Sequence, residues 1–362
     1  MTVLAQPAAR RGAGPFHPLT VKGVERLTDD AVAITFDVPE ALAEEFRFAP
    51  GQFLTVRRTV EGREQRRSYS ICSPKGSRPR IGVRRIPDGA FSSWLVDEVR
   101  PGDVIEAQTP AGSFRAEPEV AQRHLCIAAG SGITPVLSIA SSVLAVPGAE
   151  VSLVYGNRST GSVMFAEEIA DLKNLHADRL QVVHVMSREP RDVELFSGRL
   201  DRDRLQRILQ QVVPAGRFDH VWLCGPHSMV EDARAVLTGL GVPEDRVHFE
   251  LFYVDTPPPA LVRRVDVPEG ATSDVTVVLD GSSVAVAAAY DVPILDSAQR
   301  VRPDLPFACK GGVCGTCRAF VREGEVDMRR NYALEESEVE AGFVLTCQSY
   351  PVSAAATVDY DA

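Results

Sequence analysis

The sequence predicts a multidomain protein of 362 residues, with an antiparallel β-barrel, a doubly wound α/β domain and a small C-terminal domain in that order. Three observations support this order. Short alternating apolar runs dominate residues 16–118, and apolar strands then alternate with helical patterns. A proline-rich segment finally precedes a loop with three closely spaced cysteines. A chain of this length can bury more than one hydrophobic core.

The barrel is predicted at residues 16–118, after a disordered tail at residues 1–15. Its apolar runs, among them AVAITFDV, QFLTVRRTV and RIGVRRI, are short and are broken by proline or glycine. Alternation with a period of two, interrupted by turn residues, is typical of antiparallel strands in a small barrel or sandwich.

The α/β domain is predicted at residues 119–253. Its apolar strands are HLCIAAG, EVSLVYG, LQVVHVMS and HVWLCG, and helical patterns separate them. Strands that alternate with helices form parallel, doubly wound sheets. The uncharged stretch 125–149 is rich in glycine and serine, so a strand followed by a helix explains it better than a membrane span.

A linker is predicted at residues 254–273, because the run Pro257-Pro258-Pro259 cannot join the interior of a sheet or helix. The last domain is predicted at residues 274–362. It begins with TVVLDGSSVAVAA, in which Asp280-Gly281 between apolar runs is a hairpin signal.

Four cysteines in this last domain carry the most specific signal in the chain. Cys309, Cys314 and Cys317 have the C-x4-C-x2-C spacing of plant-type [2Fe-2S] loops, and Cys347 supplies a distant fourth thiolate. We expect Gly311, Gly312 and Gly315 to take positive φ angles that turn backbone N–H groups toward the sulfurs. A structural zinc site is the alternative, but zinc usually draws on two C-x2-C pairs, and this segment has one.

The charge distribution excludes one class of function. The formal net charge of −10 argues against a nucleic-acid-binding protein, which needs a basic face. The stretch 271–362 alone carries a net charge of −7, which suits either ordinary solvation or docking to a partner. No secretory signal is evident, and thiolate ligands need a reducing compartment, so a cytoplasmic location without membrane association is expected.

Two motifs in the barrel predict a flavin site. In R-R-S-Y-S, Tyr69 offers a flat surface for the ring, Ser70 a hydrogen bond to its edge and Arg67 a cation for its pyrophosphate. About 20 residues further on, the segment from Gly89 to Ser92 opens a helix whose N–H groups and hydroxyl suit a phosphate. Each motif alone is equally an ordinary strand or an ordinary capped helix.

With both motifs present, residues 16–253 resemble the ferredoxin–NADP reductase superfamily. The resemblance implies an FAD site formed by Arg67, Ser68, Tyr69, Ser70, Gly89, Phe91 and Ser92, with the backbone of Val83 and Arg85 along the adenylate. It also implies that the C-terminal domain is an α+β ferredoxin domain of the ubiquitin-like (β-grasp) fold.

The α/β domain opens with G-x-G-x-x-P from Gly130 to Pro135, where glycine leaves room for a dinucleotide backbone. The pattern departs from the G-x-G-x-x-G of Rossmann enzymes, and a tight β–α turn is the alternative. The resemblance implies that Ser70, Thr134 and Cys224 surround the reacting flavin and nicotinamide. It implies a nucleotide site of Gly130, Ser131, Gly132, Thr134, Cys224, Gly225, Pro226 and Met229.

Residues after the strand LQVVHVM predict which nicotinamide cofactor is used. A 2′-phosphate needs a cation and a hydroxyl, and Ser187 and Arg188 match the Ser-Arg pair of plant-type reductases. Arg158 and Arg199 are further cations that either assist or are simply solvated. NADPH is therefore expected rather than NADH.

Nicotinamide gives two electrons together and an iron–sulfur cluster takes one, so electrons must pass from NADPH through FAD to the cluster. Glu250 either serves the flavin edge or ends a core strand. The domain order resembles the reductase components of multicomponent oxygenases, and C-K-G-G-V-C-G-T-C-R-A and H-F-E-L-F are similar to those that serve a di-iron epoxidase. The resemblance implies oxygenase subunits as partners. A reductase for a Rieske-type oxygenase and a non-catalytic redox sensor are the alternatives.

Overall fold

A computed structural model describes residues 15–60, 63–87, 89–252, 270–307, 309–334 and 336–362. The predicted tail, apart from its last residue, and most of the predicted linker lie outside the described residues. The chain divides into two compact units, Phe16–Pro257 and one that contains Pro258–Ala362. Within the described ranges, no helix is both long enough and apolar enough to cross a membrane.

An antiparallel barrel forms the first part of the larger unit, as predicted. Its strands are β1 (His17–Thr28), β2 (Ala31–Asp37), β3 (Phe53–Val60), β4 (Arg63–Ser70), β5 (Arg80–Arg84) and β6 (Val104–Ala107), in the order β4-β3-β6-β1-β2-β5. A bridge between Ile71 and Ile81 joins the two outer strands and closes the sheet. Buried apolar residues such as Leu19, Ile34 and Leu54 fill the interior, and α1 (Ala90–Asp97) contacts β5.

A parallel five-stranded sheet forms the second part, which confirms the doubly wound α/β fold. The strands are β7 (Arg123–Ala129), β8 (Glu150–Asn157), β9 (Leu180–Met186), β10 (His220–Gly225) and β11 (Val247–Leu251). The helices are α2 (Ile133–Leu144), α3 (Ala166–Leu175), α4 (Arg202–Gln211) and α5 (His227–Gly239). The strand order β11-β10-β7-β8-β9 reverses at β7, so a crevice for a ligand opens at the carboxyl ends of β7 and β10.

Polar contacts join the barrel and the parallel sheet into one unit. The Ser138 hydroxyl in α2 donates to the carbonyl of Ser73 at 2.6 Å, and the Ser142 hydroxyl accepts from the N–H of Lys75 at 2.9 Å. Arg80 in β5 forms an ion pair with Glu168 in α3 at 2.5 Å. These contacts lie close to the crevice-forming strands, so the barrel and the nucleotide domain are held as a pair.

The smaller unit is a mixed α+β fold, which confirms the predicted ferredoxin class. Its elements are β12 (Thr272–Leu279), β13 (Ser282–Ala289), α6 (Ile294–Ala298), β14 (Arg318–Glu323), β15 (Val326–Met328), α7 (Glu336–Glu340), β16 (Phe343–Leu345), β17 (Ser349–Pro351) and β18 (Ala355–Asp359). The main sheet has the order β13-β12-β18-β14-β16, with β12 and β18 parallel. The predicted turn at Asp280-Gly281 joins β12 to β13, with φ of +53° and +70°.

Candidate functional site

The turn after β7 packs directly against the end of β10. Gly130 has φ of +56°, a conformation that favours glycine. A Cβ atom on Gly132 would lie only 2.1 Å from the carbonyl oxygen of Cys224 and 2.9 Å from the N–H nitrogen of Gly225. The glycine turn and the Cys224-Gly225 strand end, predicted separately from the sequence, therefore meet at the crevice.

Thr134 lies at the seam between the barrel and the parallel sheet. Its side chain is buried, and its hydroxyl donates to the carbonyl of Ser131 at 2.9 Å. A Cβ atom on Gly82 in β5 would lie 2.4 Å from the Thr134 methyl carbon. The start of α2 thus rests against the barrel, and Thr134 occupies the junction between the two parts.

Ser70 and Glu250 connect the barrel to the other side of the crevice. The Ser70 hydroxyl donates to a Glu250 carboxylate oxygen at 3.2 Å. Glu250 stands opposite Cys224 in the β10–β11 ladder. The structure therefore brings together Ser70, Glu250, Cys224 and the glycine turn, although these residues are spread over 180 positions between Ser70 and Glu250.

Burial keeps this group of side chains protonated at neutral pH. Desolvation raises the pKa of Glu250 to about 8, and the Ser70 hydrogen bond opposes this only in part. Desolvation also raises the pKa of the Cys224 thiol, and the nearby Glu250 carboxylate raises it further. A neutral carboxyl group can donate a proton, which is the chemistry that a redox centre needs when it gains electrons.

Aromatic rings surround the flavin motif on the barrel. The Tyr69 ring stacks on Phe91, with centroids 6.3 Å apart and an interplanar angle of 28°. Phe91 meets Trp94 edge to face at 5.5 Å. The Ser68 hydroxyl lies 3.0 Å from that of Thr55 on the neighbouring strand. Arg67 is exposed and forms no ion pair among the described residues, so its charge is available for an anion.

The predicted phosphate residues at the start of α1 differ in what they can offer. Gly89 precedes the helix, and the Ser92 hydroxyl accepts from the N–H of Ile86 and donates to the carbonyl of Gly89, both at 3.0 Å. The hydroxyl thus shapes the turn, which leaves the N–H groups of the first helical turn for a phosphate. The N–H of Arg85 is engaged by the carbonyl of Asp30, and the Val83 side chain is buried in the barrel.

Ser187 and Arg188 continue the pairing of β9 with β8. Their N–H groups donate to the carbonyls of Asn157 and Arg158, each at 2.8 Å. The Arg188 side chain is exposed and forms no ion pair within the described ranges. Arg158, in contrast, forms an ion pair with Asp30 at 2.9 Å. Of the two cations brought together here, Arg188 is the one that forms no ion pair among the described residues.

The structure adds two carboxylates that the sequence interpretation missed. Asp30 ion-pairs with both Arg84 and Arg158; burial alone would raise its pKa, but the Thr28 hydroxyl and these cations lower it. Glu189 accepts from the N–H and hydroxyl of Thr160 at 2.8 and 2.6 Å and so holds the loop after β8. Asp30 lies 128 positions from Arg158, and no local pattern predicts such a contact.

The four cysteines of the smaller unit converge as two pairs. Cys309 interacts with Cys314, and Cys317 interacts with Cys347. The neighbouring Cys314 thiol, together with backbone N–H groups, lowers the pKa of Cys309 to about 6 against the effect of burial. The neighbouring Cys317 thiol likewise lowers the pKa of Cys347.

The pairing of the cysteines fits a two-iron cluster. Two thiol pairs match a centre in which each of two irons takes two thiolates. Gly312 and Gly315 have the expected positive φ of +79° and +67°, but the expectation for Gly311 is wrong, because Lys310 takes the left-handed conformation instead at +51°.

These features define a class of protein, a flavin- and nicotinamide-dependent reductase with its own iron–sulfur domain. Family models agree: an oxidoreductase FAD-binding domain matches residues 18–116, an oxidoreductase NAD-binding domain residues 126–235, and a 2Fe-2S iron–sulfur cluster binding domain residues 277–352. These matches confirm the three predicted kinds of cofactor, which are FAD, a nicotinamide nucleotide and a [2Fe-2S] cluster.

The chain belongs to the family of oxygenase reductase components, which includes one of the subunits of the 1,2-phenylacetyl-CoA epoxidase. It is 42% identical to that epoxidase component from Escherichia coli K12, over 96% of this chain and 98% of the relative. It is 34% identical to the ferredoxin reductase component of a 3-ketosteroid-9-alpha-monooxygenase from Mycobacterium tuberculosis, over 92% and 93% of the two chains.

Solved structures share the fold. Phthalate dioxygenase reductase, a modular structure for electron transfer from pyridine nucleotides to [2Fe-2S], has a TM-score of 0.58 and 24% identity over 95% of this chain and 98% of its own. The Amycolatopsis cytochrome P450 reductase has a TM-score of 0.55 and 28% identity, over 66% of this chain and 70% of its own. The predicted three-part oxidoreductase architecture is confirmed.

Proposed function

We propose that this protein passes electrons from NADPH, through FAD and its [2Fe-2S] cluster, to the di-iron oxygenase subunits of a phenylacetyl-CoA epoxidase in the cytoplasm. The observation that supports this acceptor most directly is the 42% identity to an epoxidase component over nearly the whole of both chains. The steroid monooxygenase relative aligns over a similar share of both chains but is only 34% identical. A Rieske-type partner is therefore the second candidate.

The crevice residues have distinct tasks in this reaction. The Gly130–Gly132 turn gives the dinucleotide room to approach the end of β7, because side chains are absent where the turn meets Cys224. Thr134 and Cys224 would hold the nicotinamide against the barrel. Arg67 and the N–H groups at the start of α1 would hold the flavin pyrophosphate, and Tyr69 would lie against the ring.

Proton supply is the task of Ser70 and Glu250. When bound, the flavin accepts two electrons together and releases them singly. Glu250 is protonated at neutral pH because burial raises its pKa to about 8. It can deliver a proton through the Ser70 hydroxyl, 3.2 Å away, once their hydrogen bond reverses so that the Glu250 carboxyl donates to the Ser70 oxygen.

Preference for NADPH is proposed on the availability of Arg188. Arg188 is exposed beside the end of β8, and Asp30 holds the alternative cation, Arg158. An exposed guanidinium makes a charge-assisted, directional contact with phosphate. We therefore assign the 2′-phosphate to Arg188 and Ser187.

The cluster site is proposed to lie last in the electron path, with Cys309 and Cys314 on one iron and Cys317 and Cys347 on the other. Two of the four, Cys317 and Cys347, lie inside the apolar core of the smaller unit. Their burial restricts solvent access, which is one of the determinants of a cluster's reduction potential.

Reconstitution tests the proposed acceptor. The purified reductase is mixed with the oxygenase subunits of a phenylacetyl-CoA epoxidase and, separately, with a Rieske-type steroid hydroxylase, and substrate loss is followed under NADPH. We expect phenylacetyl-CoA loss in the first mixture and little turnover in the second. The opposite result would make the Rieske-type oxygenase the favoured acceptor and the epoxidase the second candidate.

A cysteine variant tests the path inside the reductase. Cys314→Ser should remove the cluster absorbance while FAD stays bound, because the two sites lie in different units. NADPH should still reduce ferricyanide, which accepts electrons directly from flavin, but epoxidation should stop. Cys126→Ser is the matched control, since Cys126 is a buried core residue of the parallel sheet. Epoxidation by a cluster-free variant would refute the linear path.

A further inference from the structure

A hydrogen-bonded pair of buried hydroxyl groups lies behind one of the cysteine pairs. Thr346 is fully buried and Tyr360 is 6% exposed. The Thr346 hydroxyl oxygen is 2.7 Å from the Tyr360 hydroxyl oxygen and 3.0 Å from the carbonyl oxygen of Cys317. The N–H of Thr346 also donates to that carbonyl, at 3.1 Å.

The direction of these bonds follows from the available protons. A carbonyl oxygen can only accept, so the single Thr346 hydroxyl proton is directed at Cys317. The Tyr360 hydroxyl must then donate to the Thr346 oxygen. The two O–H dipoles therefore form a chain whose positive ends point at the backbone of Cys317.

The pair connects both members of one thiol pair. Thr346 directly precedes Cys347, and its hydroxyl and N–H both donate to the carbonyl of Cys317, the cysteine that is paired with Cys347. Tyr360 itself is fixed, because its N–H donates to the carbonyl of Val278 at 3.0 Å. The next residue, Asp361, accepts from the N–H groups of Asp280 and Gly281 at 2.8 Å each.

We propose that Tyr360 is a positioning residue that, through Thr346, raises the reduction potential of the [2Fe-2S] cluster. This rests on the proposed ligand set only in assigning Cys317 and Cys347 to the cluster. Added negative charge on a cluster is stabilised by dipoles whose positive ends face it, and hydrogen bonds around the ligands are a main determinant of potential. In a buried environment the electrostatic effect of such a chain on the cluster is stronger than it would be in water.

Tyr360→Phe removes the outer hydroxyl and keeps the ring. Loss of one neutral hydrogen bond should lower the equilibrium constant for cluster reduction by up to about tenfold, which is about 59 mV for one electron. Tyr290→Phe is the matched control, because the same atom is removed from a tyrosine of the same unit whose hydroxyl donates to the carbonyl of Ser353 at 3.4 Å.

The measurement is a redox titration of the full-length protein followed by electron paramagnetic resonance of the reduced cluster, with cluster content determined in parallel. We expect a more negative midpoint potential in Tyr360→Phe and an unchanged one in Tyr290→Phe. A fully loaded Tyr360→Phe with the wild-type potential would overturn the proposal. Neither result depends on the oxygenase, so the proposed acceptor can fail separately.

A second pair of variants decides the matter if Tyr360→Phe does not load its cluster. Thr346→Ser keeps the hydroxyl, whereas Thr346→Val removes it at nearly the same volume. The proposal requires Thr346→Ser to behave like the wild type. It requires Thr346→Val to have a more negative midpoint potential or a lower cluster content. Equal behaviour of the two variants, whether both are normal or both are empty, would refute the role of the hydroxyl chain.

Discussion

Adding one methyl group at Gly132 should separate the nucleotide turn from Cys224. The φ and ψ of Gly132 are −60° and −10°, which alanine adopts freely, so only space opposes the change. The new carbon would lie 2.1 Å from the Cys224 carbonyl oxygen and 2.5 Å from its carbonyl carbon. Both atoms belong to the backbone of β10 and cannot rotate away.

The size of the effect follows from that distance. Carbon and carbonyl oxygen approach to about 3.3–3.6 Å, so the turn and the strand end must separate by about 1 Å. Overpacking of this kind costs about 1–3 kcal/mol of stability. A displacement of about 1 Å between reacting groups can cost about 100-fold in rate. Gly132→Ala should therefore fold, bind FAD and reduce it about 100-fold more slowly with NADPH.

Two other glycines supply controls. Gly130→Ala tests backbone strain, since φ is +56° and the nearest atom to the new carbon is an Arg84 nitrogen at 3.4 Å. It should cost about 1–2 kcal/mol of stability but slow flavin reduction less than Gly132→Ala does, because it does not press on Cys224. Gly161→Ala meets nothing within 4 Å and should be neutral.

The assays are urea unfolding and anaerobic stopped-flow reduction of the flavin by NADPH, with ferricyanide turnover as a check. A Gly132→Ala variant that matches Gly161→Ala in both stability and rate would show that the close approach to Cys224 is not needed. A variant that is destabilised but reduces flavin at the wild-type rate would separate packing from catalysis and refute the assignment of this contact to the nicotinamide site.

Three further results are expected. Arg188→Ala should weaken NADPH binding about 10- to 150-fold, the worth of a charged hydrogen bond, and leave NADH use unchanged. Glu250→Gln should flatten the dependence of flavin reduction on pH around 8, the pKa of Glu250. Burial, aided by His220, lowers the pKa of His124 to about 4, so stability should fall by up to about 3 kcal/mol as the pH drops from 6.5 to 4.

Two of these predictions have a control variant. Arg158→Ala should affect NADPH less than Arg188→Ala does, because Asp30 already engages Arg158; equal losses with NADPH and NADH would make Arg188 structural. His124→Asn retains an acceptor for the Trp222 indole N–H, which lies 3.0 Å from the His124 Nδ1, and should reduce the acid loss. An unchanged acid transition in that variant would assign it to other groups.

Local chemistry explains which features could be predicted from the sequence. Asp280-Gly281 predicts a hairpin because those residue types tolerate the two positive φ angles found there. The cysteine spacing predicts the cluster because the thiolates of one loop must converge. Which residue of that loop takes the left-handed conformation depends instead on packing, and Lys310 does so with its amine bound by Asp296 and Gln299.

Long-range contacts account for what could not be predicted. The sequence identified Arg188 as the cation for the 2′-phosphate and left Arg158 as either a helper or a solvated residue, and the ion pair with Asp30 on the barrel shows that Arg158 is engaged. The motif around Ser92 predicted a free hydroxyl, whereas Ile86 and Gly89 engage it. In both cases a pattern identified the region, and a hydrogen-bonding or ion-pair partner that the pattern did not include determined the chemistry of the side chain, from the far barrel for Arg158 and from the same turn for Ser92.

The position of β18 in the smaller unit has a consequence for biosynthesis. This strand, Ala355–Asp359, lies between β12 and β14 in the middle of the sheet, although it is the last strand in chain order. The roughly 75 residues between β12 and β18 take about 4 to 15 s to translate. Until then the central strand of the sheet is missing. Maturation of the iron–sulfur domain must therefore wait for the ribosome to finish this strand, whereas the flavin unit, whose strands emerge earlier, can already have folded.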